Sequence, residues 1–126
     1  MREAWLATPG RVPYGAAYEA MHELVDRRVA AEVPDALVLL EHPPVYTLGR
    51  RADPSHVLFD EERLSSMGAE VHPVDRGGSV TFHGPGQLVG YPVLDLGPAA
   101  DVIGYLRMLE ETVIRTCTDR GAEVGR

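Results

Sequence analysis

Apolar residues recur along this chain in two rhythms, and the switches between them mark the elements. From Tyr14 they fall at Ala17, Tyr18, Met21, Leu24, Val25 and Val29. That is the i, i+3, i+4, i+7 spacing of a helix with one buried stripe, and Pro34 is its expected stop. "REAWLAT" before it reads as a short strand ending at Pro9-Gly10, with Trp5 and Tyr18 expected in the core. "ALVLLE" is a continuous apolar run of strand length, broken by His42-Pro43-Pro44, and "VYTLG" is the next strand. "DPSHVLFDEERLSSMG" reads as turn, loop and short helix, with Asp60-Glu61-Glu62 at the helix start and Gly68 as its stop. "AEVHPVD" and "QLVGYPVLDL" are strands, the latter an edge or bulged one because it carries Gly90 and Pro92.

A second amphipathic helix is predicted over 101–120, with Val102, Ile103, Leu106, Leu109, Val113, Ile114 and Cys117 on one stripe. Asp101 suits its N-cap and Gly121 its C-terminal cap. "AEVGR" then resembles the opening of another strand, so the domain is expected to continue past Arg126. Helices mixed with hairpin-like strand pairs, without regular βαβ units, predict an α+β class: a mixed or antiparallel sheet with helices packed on it. The 126 residues fit one domain or part of one.

Composition narrows the partners. A formal net charge of −7 argues against nucleic acid. The N-terminus has no apolar signal-type stretch, and no apolar run approaches the ~20 residues of a membrane span. No membrane partner and a cytoplasmic location are therefore expected. The one cysteine permits no internal disulfide, and every basic residue is arginine, so no lysine is present to act as acid, base or amine nucleophile.

The richest stretch chemically is "RGGSVTFHGPGQ", residues 76–87. Strand alternation puts Ser79, Thr81 and His83 on one face and Val80 and Phe82 on the other, the latter expected to join the core. Gly77-Gly78 permits positive φ and a close approach of ligand to main chain. Successive bare N–H groups there suit a carboxylate, carbonyl or phosphate oxygen, and Arg76 adds a rigid cationic fork. Gly84-Pro85-Gly86 makes a second tight turn. A purely structural alternative stands beside this: two glycine turns round a strand, with Arg76 paired to Asp75 or Asp95. The pattern is neither a P-loop nor G-x-G-x-x-G.

"RGGSVTFHGPGQLVGYPVLDL" resembles the signature segment of the lipoyl(octanoyl) transferase family, and "LLEHPPVYTLGRR" and "YLRMLEETVIRTC" are similar to its flanking segments. The resemblance implies a fold like the catalytic domains of biotin and lipoate protein ligases, related to class II synthetases. It implies transfer of octanoyl from octanoyl-acyl carrier protein to a lysine of lipoyl domains, those of 2-oxoacid dehydrogenases and the glycine cleavage H protein, through a cysteine thioester and with no cofactor. It assigns Arg76, Gly77, Gly78, Ser79, Val80, Thr81, Phe82 and His83 to the acyl substrate, with His42, Tyr46 and Tyr91 as further lining. It also implies a cysteine and an assisting lysine in a C-terminal part that residues 1–126 do not contain. No catalytic residue is assigned in this chain. An ATP-dependent lipoate or biotin ligase relative and a non-catalytic acyl- or carrier-binding module remain alternatives.

Cys117 sits on the apolar stripe of its helix, where a core thiol is expected and not a nucleophile. Ser79 and His83, four apart on a strand, are about 13 Å from each other by strand rise, too far for a hydrogen bond. His22 is expected to be solvated on its helix, His56 lies in a loop and His72 precedes Pro73. None has metal-ligand spacing, so no metal is expected. Arg50-Arg51 is either a docking patch for an acidic carrier or a solvated pair.

Overall fold

The computed structural model describes residues 3–126. They gather into two compact units, one ending at Asp95 and the other running from Leu96 to Arg126.

In the first unit, β1 (Ala4–Arg11), β2 (Asp35–Glu41) and β6 (Val89–Val93) form one sheet in the order β1-β2-β6, with β1 parallel and β6 antiparallel to β2. A second sheet, ordered β4-β3-β5, joins β3 (Val45–Leu48) to parallel β4 (Glu70–Pro73) and antiparallel β5 (Val80–His83). The mixed sheets and flanking helices match the α+β class expected from the element order. Consecutive strands β2 and β3 belong to different sheets, so His42-Pro43-Pro44 is the crossing point between them.

α1 (Tyr14–Val29) lays Ala17, with Met21 and Leu24 beside it, on Val38 and Leu40 of β2 and on Val89 and Tyr91 of β6. β2 is not uniformly buried: Ala36, Val38 and Leu40 are, while Leu37 on the opposite face is 37% exposed. β1 continues through Pro9-Gly10 to Arg11 instead of ending there. The register slips between Ala7 and Gly10, and Gly10 has φ 83°, so the Pro-Gly pair is absorbed as a bulge. Trp5, expected in the core, is 47% exposed on this edge strand. The edge position anticipated for "QLVGYPVLDL" holds, since β6 borders its sheet.

Among the described residues, the three α-helices end in the same hydrogen-bond pattern. In α2 (Glu61–Ser66), Gly68 N donates to Ser65 O and Ala69 N to Leu64 O. In α3 (Val102–Asp119), Gly121 N donates to Thr118 O and Ala122 N to Cys117 O. In α1, Ala31 N donates to Arg28 O and Glu32 N to Arg27 O. This is the Schellman arrangement, which requires a left-handed residue. Gly68 and Gly121 supply it at φ 63° and 83°, but in α1 the residue is Ala31 at φ 57°. The helix therefore stops before Pro34, by its own cap.

In the second unit, Asp101 caps α3 by accepting from Gly104 N at 2.8 Å. The expected strand in "AEVGR" does not form: the cap turns the chain back at Ala122, and the Arg126 guanidinium binds Glu110 and Glu111 of α3 at 3.1 and 3.0 Å.

Candidate functional site

The glycine segment is held from behind by the end of β3. Gly49 N donates to Ser79 O (2.8 Å), Arg50 N to Arg76 O (3.0 Å) and Arg51 N to Gly78 O (3.1 Å). These bonds engage the loop's carbonyls. Among the described residues, none accepts from the amides of Gly77, Gly78 or Ser79, leaving three successive N–H donors of the kind that bind anionic or carbonyl oxygen. Gly78 takes φ 86°, the left-handed conformation that glycine adopts without strain. Gly49 is needed for a different reason. A Cβ there would stand 2.5 Å from Gly78 O and 2.8 Å from both Gly77 O and Arg76 Nη1, so the loop can approach β3 only over a bare backbone.

Arg76 pairs with neither Asp75 nor Asp95. Its Nη2 donates to the carbonyl and the hydroxyl of Thr47, both at 2.8 Å, and Nη1 donates to Gly77 O at 2.9 Å. Thr47 is buried in β3, and Asp95 pairs instead with Arg28 at 3.4 Å. Three of the five guanidinium hydrogens are thereby spent on holding the loop. The Nε–H and the second Nη1–H meet no acceptor among the described residues. Arg76 is thus anchored and still able to donate.

Cross-strand register places Val45, Thr47, His72, Thr81 and His83 on one face of the second sheet, and Tyr46, Leu48, Val80 and Phe82 on the other. The first face is the inner one. Val45 and Thr47 are buried, and the Tyr14 ring of α1 lies 5.3 Å from His72 and 5.2 Å from His42. Phe82 does not enter the core. It is 43% exposed and rests on Tyr46, ring centres 5.0 Å apart, because the β3 partners buried inward are Val45 and Thr47.

His42 is wholly buried at the crossing between sheets. Its Nδ1 is 2.7 Å from Val12 O, and its Nε2 is 2.7 Å from Tyr91 Oη. A carbonyl can only accept, so Nδ1 carries the hydrogen and Tyr91 donates to Nε2. Burial pushes the imidazole below its ordinary pKa, against the opposing effect of the Val12 bond. It also pushes the Tyr91 phenol up to about 12. Both groups are therefore neutral at pH 7, a satisfied polar pair joining the sheets.

Beside Arg76 lies a cavity of about 270 Å³, walled by Tyr14, Tyr18 and Met21 of α1, Asp75 and Arg76 of the loop, and Tyr91 of β6. Of the residues expected at the acyl substrate, the structure puts Arg76 and Tyr91 on the cavity wall, bonds buried His42 to Tyr91, and sets His83 on the inner face of the second sheet. It sets Val80, Phe82 and Tyr46 on the other side and leaves Thr81 exposed. Tyr14, Thr47 and Gly49 complete the site. Local pattern could not expose them, because each acts through a neighbour remote in sequence.

The nucleophile inventory is short. Ser79 Oγ is 2.7 Å from His56 Nδ1, not from His83. The nearby Asp53 carboxylate accepts from Ser55 N at 2.9 Å and caps its own turn, so no described residue orients the His56 ring from behind. His22 is exposed, as expected, and its Nδ1 bonds Tyr18 O at 2.9 Å. The amides of Arg50 and Arg51 brace the glycine loop as described. Cys117 is only half-buried. Its stripe on α3 lines a groove with Leu109 and Ile114, and the neighbouring Leu106 and Val113 are 53% and 61% exposed, so the thiol is not in a packed core.

The lipoyl protein ligase A/B catalytic domain matches residues 13–126, nearly the whole chain. This chain belongs to that family. Among curated relatives, an octanoyltransferase of Rubrobacter xylanophilus is 56% identical over 116 residues, covering 91% of this chain and 52% of the relative. One from Gloeobacter violaceus is 49% identical, covering 98% of this chain and 54% of the relative. The chain spans about half the length of such relatives. Solved structures share the fold at low identity. A bi-partite lipoate protein ligase from Thermoplasma acidophilum superposes with a TM-score of 0.68 at 16% identity, over 100% of this chain and 48% of that one. A lipoate-protein ligase A bound with ATP does so at 0.66 and 16%, over 98% and 49%. The glycine loop, its β3 brace and the aromatic-walled cavity are all contained in this family's matched region.

Proposed function

We propose that residues 1–126 are the acyl-binding portion of an octanoyltransferase of lipoate biosynthesis. In this assignment the donor is octanoyl-acyl carrier protein. The acceptors are lysines of lipoyl domains, those of 2-oxoacid dehydrogenases and the glycine cleavage H protein, and the setting is the cytoplasm. The transfer itself is assigned to a cysteine thioester assisted by a lysine, neither of them among these residues, so the chain by itself is expected to be inactive.

The observation that carries the assignment is the row of three unpaired amides, Gly77 to Ser79, beside the two unspent hydrogens of Arg76. Five donors on one loop, none with an acceptor among the described residues, suit the carbonyl oxygen of an acyl thioester. The cavity walled by Tyr14, Tyr18 and Met21 suits the start of the alkyl chain. About four methylenes enclosed there would contribute ~3 kcal/mol, at ~0.8 kcal/mol each. The names of the 49–56% identical relatives support the same choice.

Octanoate-dependent thermal stabilisation tests it. The protein should gain Tm with octanoate, and Arg76→Ala should abolish the gain. Persistence of the full gain in Arg76→Ala would remove the loop from the acyl site. The fold is also that of a ligase bound with ATP; pyrophosphate release from ATP with a free fatty acid would favour ligase chemistry instead.

A further inference from the structure

Gln87 ends the glycine segment, and the acyl-binding assignment gives it no task. The turn Gly84-Pro85-Gly86 folds it back onto His83. Gln87 N donates to Gly84 O at 3.1 Å, Gly86 takes φ 88°, and Gly86 N donates to Glu41 Oε2 at 3.0 Å. Glu41 in turn lies 3.7 Å from Arg11. The turn is therefore fixed at both ends, and it delivers Gln87 Oε1 to 2.7 Å from His83 Nδ1.

An amide oxygen can only accept, so this bond places the imidazole hydrogen on Nδ1 and leaves the lone pair on Nε2. No described residue hydrogen-bonds His83 Nε2. His83 sits on the inner face of β5, two residues along from the partner of Thr47, the residue that anchors Arg76. The titratable groups packed nearby are His42, whose ring centre is 5.9 Å away, Tyr91 behind His42, and Glu41 at the turn. His42 has both nitrogens engaged and cannot take a proton without breaking a bond to Val12 or Tyr91. Among these imidazoles, His83 is the one with a lone pair to offer.

We propose that Gln87 is a positioning residue of the acyl site: by accepting Nδ1–H it holds His83 in the tautomer that presents Nε2 as a proton acceptor. This rests on the octanoyl-transfer assignment. An attacking amine must lose a proton as it takes the acyl group. As the amine nitrogen bonds the acyl carbon, the thioester C–S bond breaks and the sulfur leaves as thiolate; the amine proton passes to His83 Nε2, and the imidazolium keeps its Nδ1–H on Gln87 throughout, so the ring need not turn.

The test is nitrogen-15 long-range correlation NMR of the histidine rings in the intact protein, alongside octanoyl-transfer kinetics. Wild-type His83 should show the Nδ1–H tautomer when neutral. Gln87→Leu should lose that preference and lower kcat by about 10- to 100-fold, with KM changed less than about 2-fold. Gln87→Glu, which keeps the acceptor, should retain the tautomer and rescue kcat. A wild-type Nε2–H tautomer would overturn the proposal without any variant, as would a tautomer unchanged in Gln87→Leu or kinetics that move in KM alone. A protein that carries the assigned cysteine and lysine as well as residues 1–126, shows the Nδ1–H tautomer and still transfers no octanoyl would refute the transfer assignment and the use given to Nε2. One that transfers octanoyl with the wrong tautomer would refute Gln87's role only.

Discussion

Gly49 offers the sharpest test of how the site is held. A methyl group at this position would lie 2.5 Å from Gly78 O and 2.8 Å from Gly77 O and Arg76 Nη1. Two of these are backbone atoms and the third is the anchored guanidinium, so none can swing aside freely. Gly49 does not take a positive φ, so Gly49→Ala introduces no torsional strain of its own and isolates the steric effect. To admit the methyl the loop must back away from β3, weakening the bonds from Gly49, Arg50 and Arg51 to Ser79, Arg76 and Gly78. At about 1 kcal/mol net per bond, losing two or three costs about 2–3 kcal/mol, within the range of about 1–3 kcal/mol for overpacking a tight site. Gly77→Ala is the internal control, since a Cβ there meets nothing within 4 Å. Urea unfolding should show Gly49→Ala less stable by about 2–3 kcal/mol and Gly77→Ala much closer to the parent, with octanoate stabilisation lost in Gly49→Ala. A Gly49→Ala protein within about 0.5 kcal/mol of the parent, still stabilised by octanoate, would refute the claim that β3 braces the loop by close backbone approach.

Three further outcomes follow from the same geometry. Burial holds His42 below its ordinary pKa, so as pH falls past about 6.5 the unfolded chain takes up the proton first; Tm should decline on acidification, and His42→Gln should flatten that part of the Tm-against-pH curve. Ala31 occupies the left-handed cap of α1 at φ 57°, so Ala31→Gly should stabilise by about 1 kcal/mol in denaturant melts, whereas Gly121→Ala at the matching cap of α3 should not. Incubation with octanoyl-acyl carrier protein should leave Cys117 unmodified by intact-mass measurement; an octanoyl adduct on it would reopen the assignment of the nucleophile.

Elements whose cause is local could be read from residue order. Helix α3 ran from its Asp101 cap to its Gly121 stop because stripe spacing and capping chemistry both act within a few residues. The edge character of β6 followed from Gly90 and Pro92 for the same reason. The glycine segment announced itself because Arg, bare backbone and tight turns lie side by side in it. What the residues alone determined was therefore which local elements form, where they are punctuated, and which loop has donors to spare. Tertiary structure decided which face of β5 points inward, since that depends on Val45 and Thr47 of a strand 30-odd positions earlier in the chain. It also decided that Arg76 is anchored on Thr47, that Gly49 must be bare, and that His42 is a sealed junction between two sheets. Those outcomes rest on contacts between residues remote in sequence, and spacing along a chain carries no record of which distant backbone will come within 3 Å.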